Sequence, residues 1–359
     1  MNDHFLIVGA GVSGLSTALA LLERGYRVTL LERGAVGGES SWAGGGILSP
    51  LLPWDYAEPL STLALRSMAK YADWIAGIEA RSGYSAEFWR CGMNVLGVDR
   101  PDAAVAWCRA HGLPTEPIPC ASGNGLRLPD IAQVRNPLLV AALREAITRL
   151  GAAIHSHDAV QSVMARTGRM TAIRTARGEF AADRFVFATG AWSGLGLPGL
   201  AGVPNVRPIR GQMLLFKLEP GVLETILYRD SLYLIPRRDG HLLVGSTLED
   251  VGFDKSTDAA TRLRLHAEAA ELLPALADAQ PVQHWSGLRP GSPHNLPVID
   301  RHPDFDNVHV NTGHFRYGVT LAPASSELLA DLIEGRTPAL DPAPYRWQAA
   351  AERSWTMAQ

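Results

Sequence analysis

A chain of 359 residues with 47% hydrophobic content has enough apolar mass for a large core, and its length favours two joined domains over one. The balance of 33 basic against 36 acidic residues, with arginine dispersed along the chain, excludes an electrostatic case for nucleic acid or an anionic membrane as partner. The three cysteines, Cys91, Cys108 and Cys120, have no C-x-x-C spacing. They support neither a disulfide framework nor a zinc site, so a reducing cytoplasm is expected.

Residues 5–8 predict a buried strand, residues 12–24 a helix stopped by Gly25, and residues 27–31 a second strand followed by Glu32. Gly9-x-Gly11-x-x-Gly14 joins the first strand to the helix. In that position Gly9 permits a tight turn, Gly11 lets backbone approach a pyrophosphate, and Gly14 lets helix and strand pack closely. Glu32, at the end of the second strand, is placed to reach ribose hydroxyls. This is a dinucleotide site on a βαβ unit, leaving NAD, NADP and FAD open, with the acid weighing against a 2′-phosphate. A leader or membrane span over the uncharged residues 5–22 is disfavoured, because Asp3 precedes it and three glycines interrupt it.

Six glycines and three serines fall between residues 33 and 50, so backbone N–H groups and the Ser40 and Ser41 hydroxyls are available to a ligand, or the stretch is a flexible surface loop. Residues 59–81 carry helical apolar spacing, and residues 84–136 alternate short strands and turns with a helix at 102–110. Residues 136–150 predict another helix, with Pro137 in its first turn and Gly151 behind it. A three-stranded meander follows over 159–165, 170–176 and 179–182. Residues 183–190 then read as an apolar strand returning to the parallel sheet and ending in Thr189-Gly190. Alternating strands over 207–247, with a turn at Arg238-Asp239-Gly240, predict an antiparallel sheet that offers one face to a ligand or core and the other to solvent. Near the end, a strand at 307–310, a glycine-bounded loop at 312–318 and a helix at 322–334 repeat the strand–loop–helix pattern.

The segments IVGAGVSGLS with Glu32, GGESSWAGGGIL, ATGAWS, YLIPRRDGHLLVGST, GLRPGSP and GHFRYGVTLAP occur in order over about three hundred residues. Together they resemble the D-amino-acid oxidase superfamily of flavoproteins, and within it the glycine oxidase branch connected with thiamine synthesis. The resemblance implies an α/β fold in which a Rossmann-type FAD-binding domain (1–83, 137–203 and 281–340) is interleaved with an α+β substrate domain (84–136 and 204–280), with 341–359 as a C-terminal tail. It implies non-covalent FAD. Val12, Ser13, Glu32 and Arg33 would then contact the adenosine diphosphate part, with Ser40, Ser41, Gly45, Gly46 and Ile47 along pyrophosphate and flavin and Val160 at the adenine. Thr189 and Gly190 come beside the nucleotide, and the loop His314, Phe315, Arg316, Tyr317, Gly318, Val319, Thr320 would wrap the flavin pyrimidine.

For the substrate, the resemblance points to Arg289 as the carboxylate ligand, since a guanidinium fork matches a carboxylate. Tyr233 would add a hydroxyl, Arg316 would border flavin and substrate, and Leu248 would line the pocket. No nucleophile–base constellation, metal-ligand cluster or paired carboxylates appear, in keeping with chemistry in which the flavin takes the α-hydrogen and an imine leaves. The expected reaction is oxidative deamination of glycine or another small primary or secondary amino acid, with oxygen giving peroxide. A D-amino-acid dehydrogenase passing electrons to a quinone, and a non-catalytic flavin-binding scaffold, remain as alternatives, and a homo-oligomer is possible. Three positions depart from the branch: Tyr317 stands where Asn is common, Leu248 where Met is common, and residues 48–56 are unusually apolar and Pro-rich. Trp54 or Tyr56 in that segment either caps the pocket or packs on the surface.

Overall fold

The computed structural model describes residues 3–120 and 123–355. Phe5, Leu6 and Ile7 are completely buried on both faces of the strand His4–Val8, as a continuous apolar run requires at the centre of a parallel sheet. That strand pairs in parallel with Arg27–Leu31 on one side and Arg184–Phe187 on the other. Six strands form this sheet, with Ala153–His155 beside Arg27–Leu31 at one edge. Val308–Thr312 and then the antiparallel Val298–Arg301 complete the other edge.

Alternate residues of the central strand feed two cores. Phe5 and Ile7 pack with the helices Val12–Glu23, Glu58–Ser82, Asn136–Arg149 and Gly318–Glu334. Leu6 and Val8 pack with the meander formed by Val160–Arg166, Arg169–Thr175 and Gly178–Ala181. The long helix Glu58–Ser82 stops at Gly83, whose left-handed φ of 74° lets its N–H return to the Glu79 carbonyl.

The second sheet has eight strands in the order Gln283–Gly291, Arg207–Lys217, His241–Gly245, Leu232–Pro236, Ile226–Arg229, Met93–Leu96, Gly123–Leu128 and Glu116–Cys120. Three expectations change here. The sheet is not purely antiparallel, because Ile226–Arg229 runs parallel to Met93–Leu96. Nor does its second face meet solvent: Leu214, Phe216, Leu234 and Val244 pack under the helix Ala259–Leu272, which Asp258 caps by accepting the Thr261 N–H at 2.8 Å. The strand Gln283–Gly291, inside the stretch 281–340 expected for the cofactor domain, pairs throughout with Arg207–Lys217 of the second sheet. Two strands of long register hold it there more strongly than chain proximity to the next helix.

The expected tail is also structured over its described residues. Tyr345 is buried with its hydroxyl donating to Pro59 O at 2.6 Å, and Trp347–Glu352 is a helix packed on His302. Residues 356–359 lie outside the described residues. Among the described residues, no helix is long and apolar enough to cross a membrane.

Candidate active site

The strand ends of the first sheet and one face of the second line one cavity of about 490 Å³. The glycine turn forms one wall. Gly9 adopts φ +100° and a Cβ there would meet the Ala188 carbonyl at 2.4 Å, while a Cβ on Gly14 would meet the Gly9 carbonyl at 1.9 Å. Both sites therefore require glycine, and Gly14 serves packing without lining the cavity. Gly11, Val12 and Ser13 bring the helix N-terminus to the cavity wall, and the Val12 N–H donates to Ser41 Oγ at 2.9 Å. That terminus suits an anionic group.

Glu32 is buried at the end of its strand, with its carboxylate accepting the Ala10 N–H at 2.8 Å and the Gly34 N–H at 2.9 Å. It thereby fixes the glycine turn while still lining the cavity with Arg33, Ser40, Ser41, Gly45, Gly46, Ile47, Val160, Thr189 and Gly190. Ser40 and Ser41 lie on a short helix, Ser40–Ala43, so the glycine-rich stretch is not simply a flexible loop. Arg33 is exposed. Its guanidinium stacks 3.3 Å from the Trp192 ring centroid and pairs with Glu39 at 2.7 Å. Asp158, which the motifs did not single out, also lines this end and has a buried oxygen without a partner.

The segment after Val308–Thr312 differs from the expected loop. Gly318, Val319 and Thr320 form the first turn of the helix Gly318–Glu334, four residues ahead of the predicted start. Pro323, inside this helix, lacks an N–H. The carbonyl that it leaves unpaired, on Val319, accepts instead from the Tyr71 hydroxyl at 3.0 Å. Thr320 donates to Ile47 O at 2.9 Å, tying this turn to the glycine-rich segment. A second helix N-terminus thus meets the cavity.

His314 and Phe315 are buried beside that turn. His314 shares a 3.2 Å hydrogen bond with Ser13, and its Nε2 is buried without a partner. Burial lowers its pKa to about 4, so the ring is neutral. Tyr317 packs edge-to-face on Tyr56 at 5.3 Å and donates its hydroxyl to the Tyr56 hydroxyl. Tyr56 therefore backs a cavity residue, whereas Trp54 packs against the core beneath the second sheet.

At the opposite end, Arg289 from Gln283–Gly291 meets Tyr233 from Leu232–Pro236, with Arg316 and Leu248 also lining the wall. The Arg289 guanidinium donates to Thr247 O at 3.1 Å and Ser246 Oγ at 2.5 Å, and bonds to the Tyr233 hydroxyl. It pairs with no carboxylate among the described residues, and burial lowers its pKa while leaving it a cation. Arg210 O, at 3.4 Å, takes a further bond from Nη1, so the turn and the neighbouring strand fix the guanidinium while its charge is left for a ligand anion to meet. Sequence motifs missed Ser246, Thr247, Gly211 and Trp192, which are small or aromatic residues without a chemical signature of their own.

The paired helix N-termini, the unpartnered Nε2 of His314 and the serine-lined glycine wall match the polar part of FAD, and a guanidinium with no carboxylate partner among the described residues matches a small anion. Comparison with known proteins agrees. Glycine oxidase of Pseudomonas aeruginosa is 43% identical over 358 residues, covering 96% of this chain and 98% of that protein. The bifunctional protein ThiO/ThiG of Synechocystis is 34% identical over 350 residues, covering 92% of this chain and 52% of that protein. The crystal structure of glycine oxidase from Geobacillus kaustophilus superposes with a TM-score of 0.88 at 28% identity, covering 96% of this chain and 99% of that one. Residues 4–332 match the family described as FAD dependent oxidoreductase, and the chain belongs to that family of FAD-dependent enzymes.

Proposed function

We propose that this chain catalyses the oxidative deamination of glycine or another small primary or secondary amino acid, with oxygen as the electron acceptor. The observation that carries the reading is Arg289, a cation without a carboxylate partner among the described residues, joined to the Tyr233 hydroxyl in the wall of the cavity. FAD, when bound, supplies the acceptor for the two electrons and the hydrogen that leave the substrate α-carbon. Glu32, Ser13, Ser41 and the two helix N-termini would hold its polar part, and His314 would add a neutral ring nitrogen.

The protein's own work is orientation. Arg289 takes the substrate carboxylate with its otherwise uncompensated charge, Tyr233 adds a hydroxyl, and Met213 and Ile47 supply apolar wall. Around Arg289 the titratable neighbours are Tyr233, Arg316 and Tyr317. Burial pushes the Tyr317 phenol far above its ordinary range, so it keeps its proton. The substrate reacts with its amine neutral, and the imine that leaves is hydrolysed by water to a 2-oxo acid and ammonia, or to a 2-oxo acid and a primary amine where the substrate amine is secondary.

Anaerobic addition of glycine, sarcosine, D-alanine and D-proline to the purified yellow protein tests the reading. Bleaching by one or more of them is expected, and no reduction by any would sink it. Oxygen uptake compared with dye reduction separates an oxidase from a quinone-linked dehydrogenase. Arg289→Lys should raise KM by about 100-fold, since a point ammonium replaces a bidentate fork, with flavin content retained. A flavin-binding scaffold would show no such substrate dependence.

A further inference from the structure

Between the strand ending at Gly245 and the helix starting at Ala259, the chain leaves the second sheet as an irregular segment. Its base is pinned by Arg210, a buried guanidinium on Arg207–Lys217 that donates to Glu249 at 3.2 Å and to Asp254 at 2.6 Å. The same guanidinium reaches the Ser256 carbonyl at 3.1 Å. Gln212 adds bonds to Glu249 and Asp258, each at 3.0 Å. Breaking that base would strand a buried charge, so it stays in place.

The outer part of the segment touches the other sheet's domain at two points that converge. Phe253 stacks on Trp192 with centroids 5.3 Å apart and planes at 29°, and Trp192 also carries the Arg33 guanidinium. Lys255 pairs with Glu39 at 3.2 Å, and Glu39 pairs in turn with Arg33. Arg33, Glu39, Trp192 and Leu248 line the cavity, whereas Phe253 and Lys255 do not. Contacts from one domain thus close a circuit over side chains that line the cavity in the other.

Resting on the reading of this cavity as an FAD site, we propose that the side chains of Phe253 and Lys255 are a clasp over the cofactor site, latched on Trp192 and Glu39, whose release from those partners limits FAD release. The latch is weak by construction. Phe253 is 39% exposed and the Lys255 side chain 50%, so one aromatic stack and one solvent-screened ion pair hold it. Gly252, at φ +64°, supplies a bend immediately before Phe253. Asp254 and Ser256 hold the backbone beside them, so opening is a swing of the Phe253 and Lys255 side chains that leaves the sheet folded.

The experiment follows flavin fluorescence after dilution of FAD-loaded wild type, Phe253→Ala, Lys255→Gln and the double variant. Release should quicken by about tenfold in the double variant, the order set by one stack plus one exposed pair, with each single variant between. Added NaCl should speed wild-type release, and Lys255→Gln should show a smaller salt response because one screened pair is gone. A purely structural role would lower thermal stability of the FAD-free protein without changing that salt response. Phe253→Leu with Lys255→Gln serves if the alanine variant does not fold. Equal release rates from folded wild type and double variant overturn the clasp, while wild-type protein that binds no added FAD overturns the reading of the cavity.

Discussion

The guanidinium of Arg289 lies against the backbone of Gly211, so that a Cβ added at Gly211 would stand 2.2 Å from Arg289 Nη1 and 2.4 Å from Cζ. The two residues belong to adjacent antiparallel strands, with Ile209 opposite Arg289 and Gly211 opposite Gly287. The absence of a side chain at Gly211 is what lets Arg289 reach the turn 246–247 and the cavity together. Gly211→Ala should therefore push the guanidinium from its place and raise KM for the amino acid by about tenfold or more, since about 1 Å of misplacement is felt strongly in a site. Flavin content should hold, because Gly211 touches no part of the glycine-rich wall. Steady-state kinetics with glycine checks this, and an unchanged KM would show that Arg289 does not position the substrate.

Tyr71 and Pro323 form a second dependency. Proline at 323 cannot donate to the Val319 carbonyl, and the Tyr71 hydroxyl supplies the missing donor from the helix Glu58–Ser82. Tyr71→Phe leaves that carbonyl unpaired in the core and should destabilise the fold by about 1–3 kcal/mol. Urea unfolding of the variant measures it. The combined change Tyr71→Phe with Pro323→Ala should recover much of the loss, because an alanine in place of the proline has an N–H to donate to the Val319 carbonyl along the helix.

Tyr56 and Tyr317 are coupled through both their rings and their hydroxyls. A double-mutant cycle with Phe at each position should give an interaction energy of about 1 kcal/mol in unfolding. Additive effects would show that the hydroxyl bond carries no stability and that the pair is held by ring packing alone.

Stability should fall as the medium is acidified below neutrality. His309 and His314 are both buried, and burial lowers the pKa of each to about 4 from the ordinary value of 6.5. The unfolded chain takes up protons at these sites below 6.5 while the folded chain resists until about 4, so the stabilisation is complete above 6.5 and is lost through that window. Each ring contributes a slope of up to about 1.4 kcal/mol per pH unit there. Urea midpoints at pH 7 and pH 5 test this. His309→Gln should flatten the dependence by about half of what this pair contributes, while His4, His284 and His302, also lowered by burial, keep their share.

Local pattern was enough to read the βαβ unit, the helices and the meander, because apolar period and glycine punctuation act over a few residues. Glu32, Gly9 and Gly14 were legible for the same reason: each meets a requirement of one turn. Helix Ala259–Leu272 and strand Gln283–Gly291 were not read in advance, since the helix has only a narrow buried face and the strand is polar and aromatic along its length. The start of Gly318–Glu334 is not legible locally, because the Val319 carbonyl that Pro323 leaves unpaired is satisfied by Tyr71, 252 residues earlier in the chain.

The sequence by itself determined a dinucleotide-binding unit and, through resemblance, an FAD-dependent enzyme of amino-acid oxidation, with Arg289 and Tyr233 as its candidate substrate residues. Only the tertiary structure decided how Arg289 is held, through the bare backbone of Gly211 and the turn 246–247, and how Phe253 and Lys255 come over Arg33 and Glu39. Local sequence encodes conformation because steric and hydrogen-bonding rules reach a turn or two. The cavity depends on which strand edges and loops of two sheets meet, and that is settled by packing between residues hundreds of positions apart.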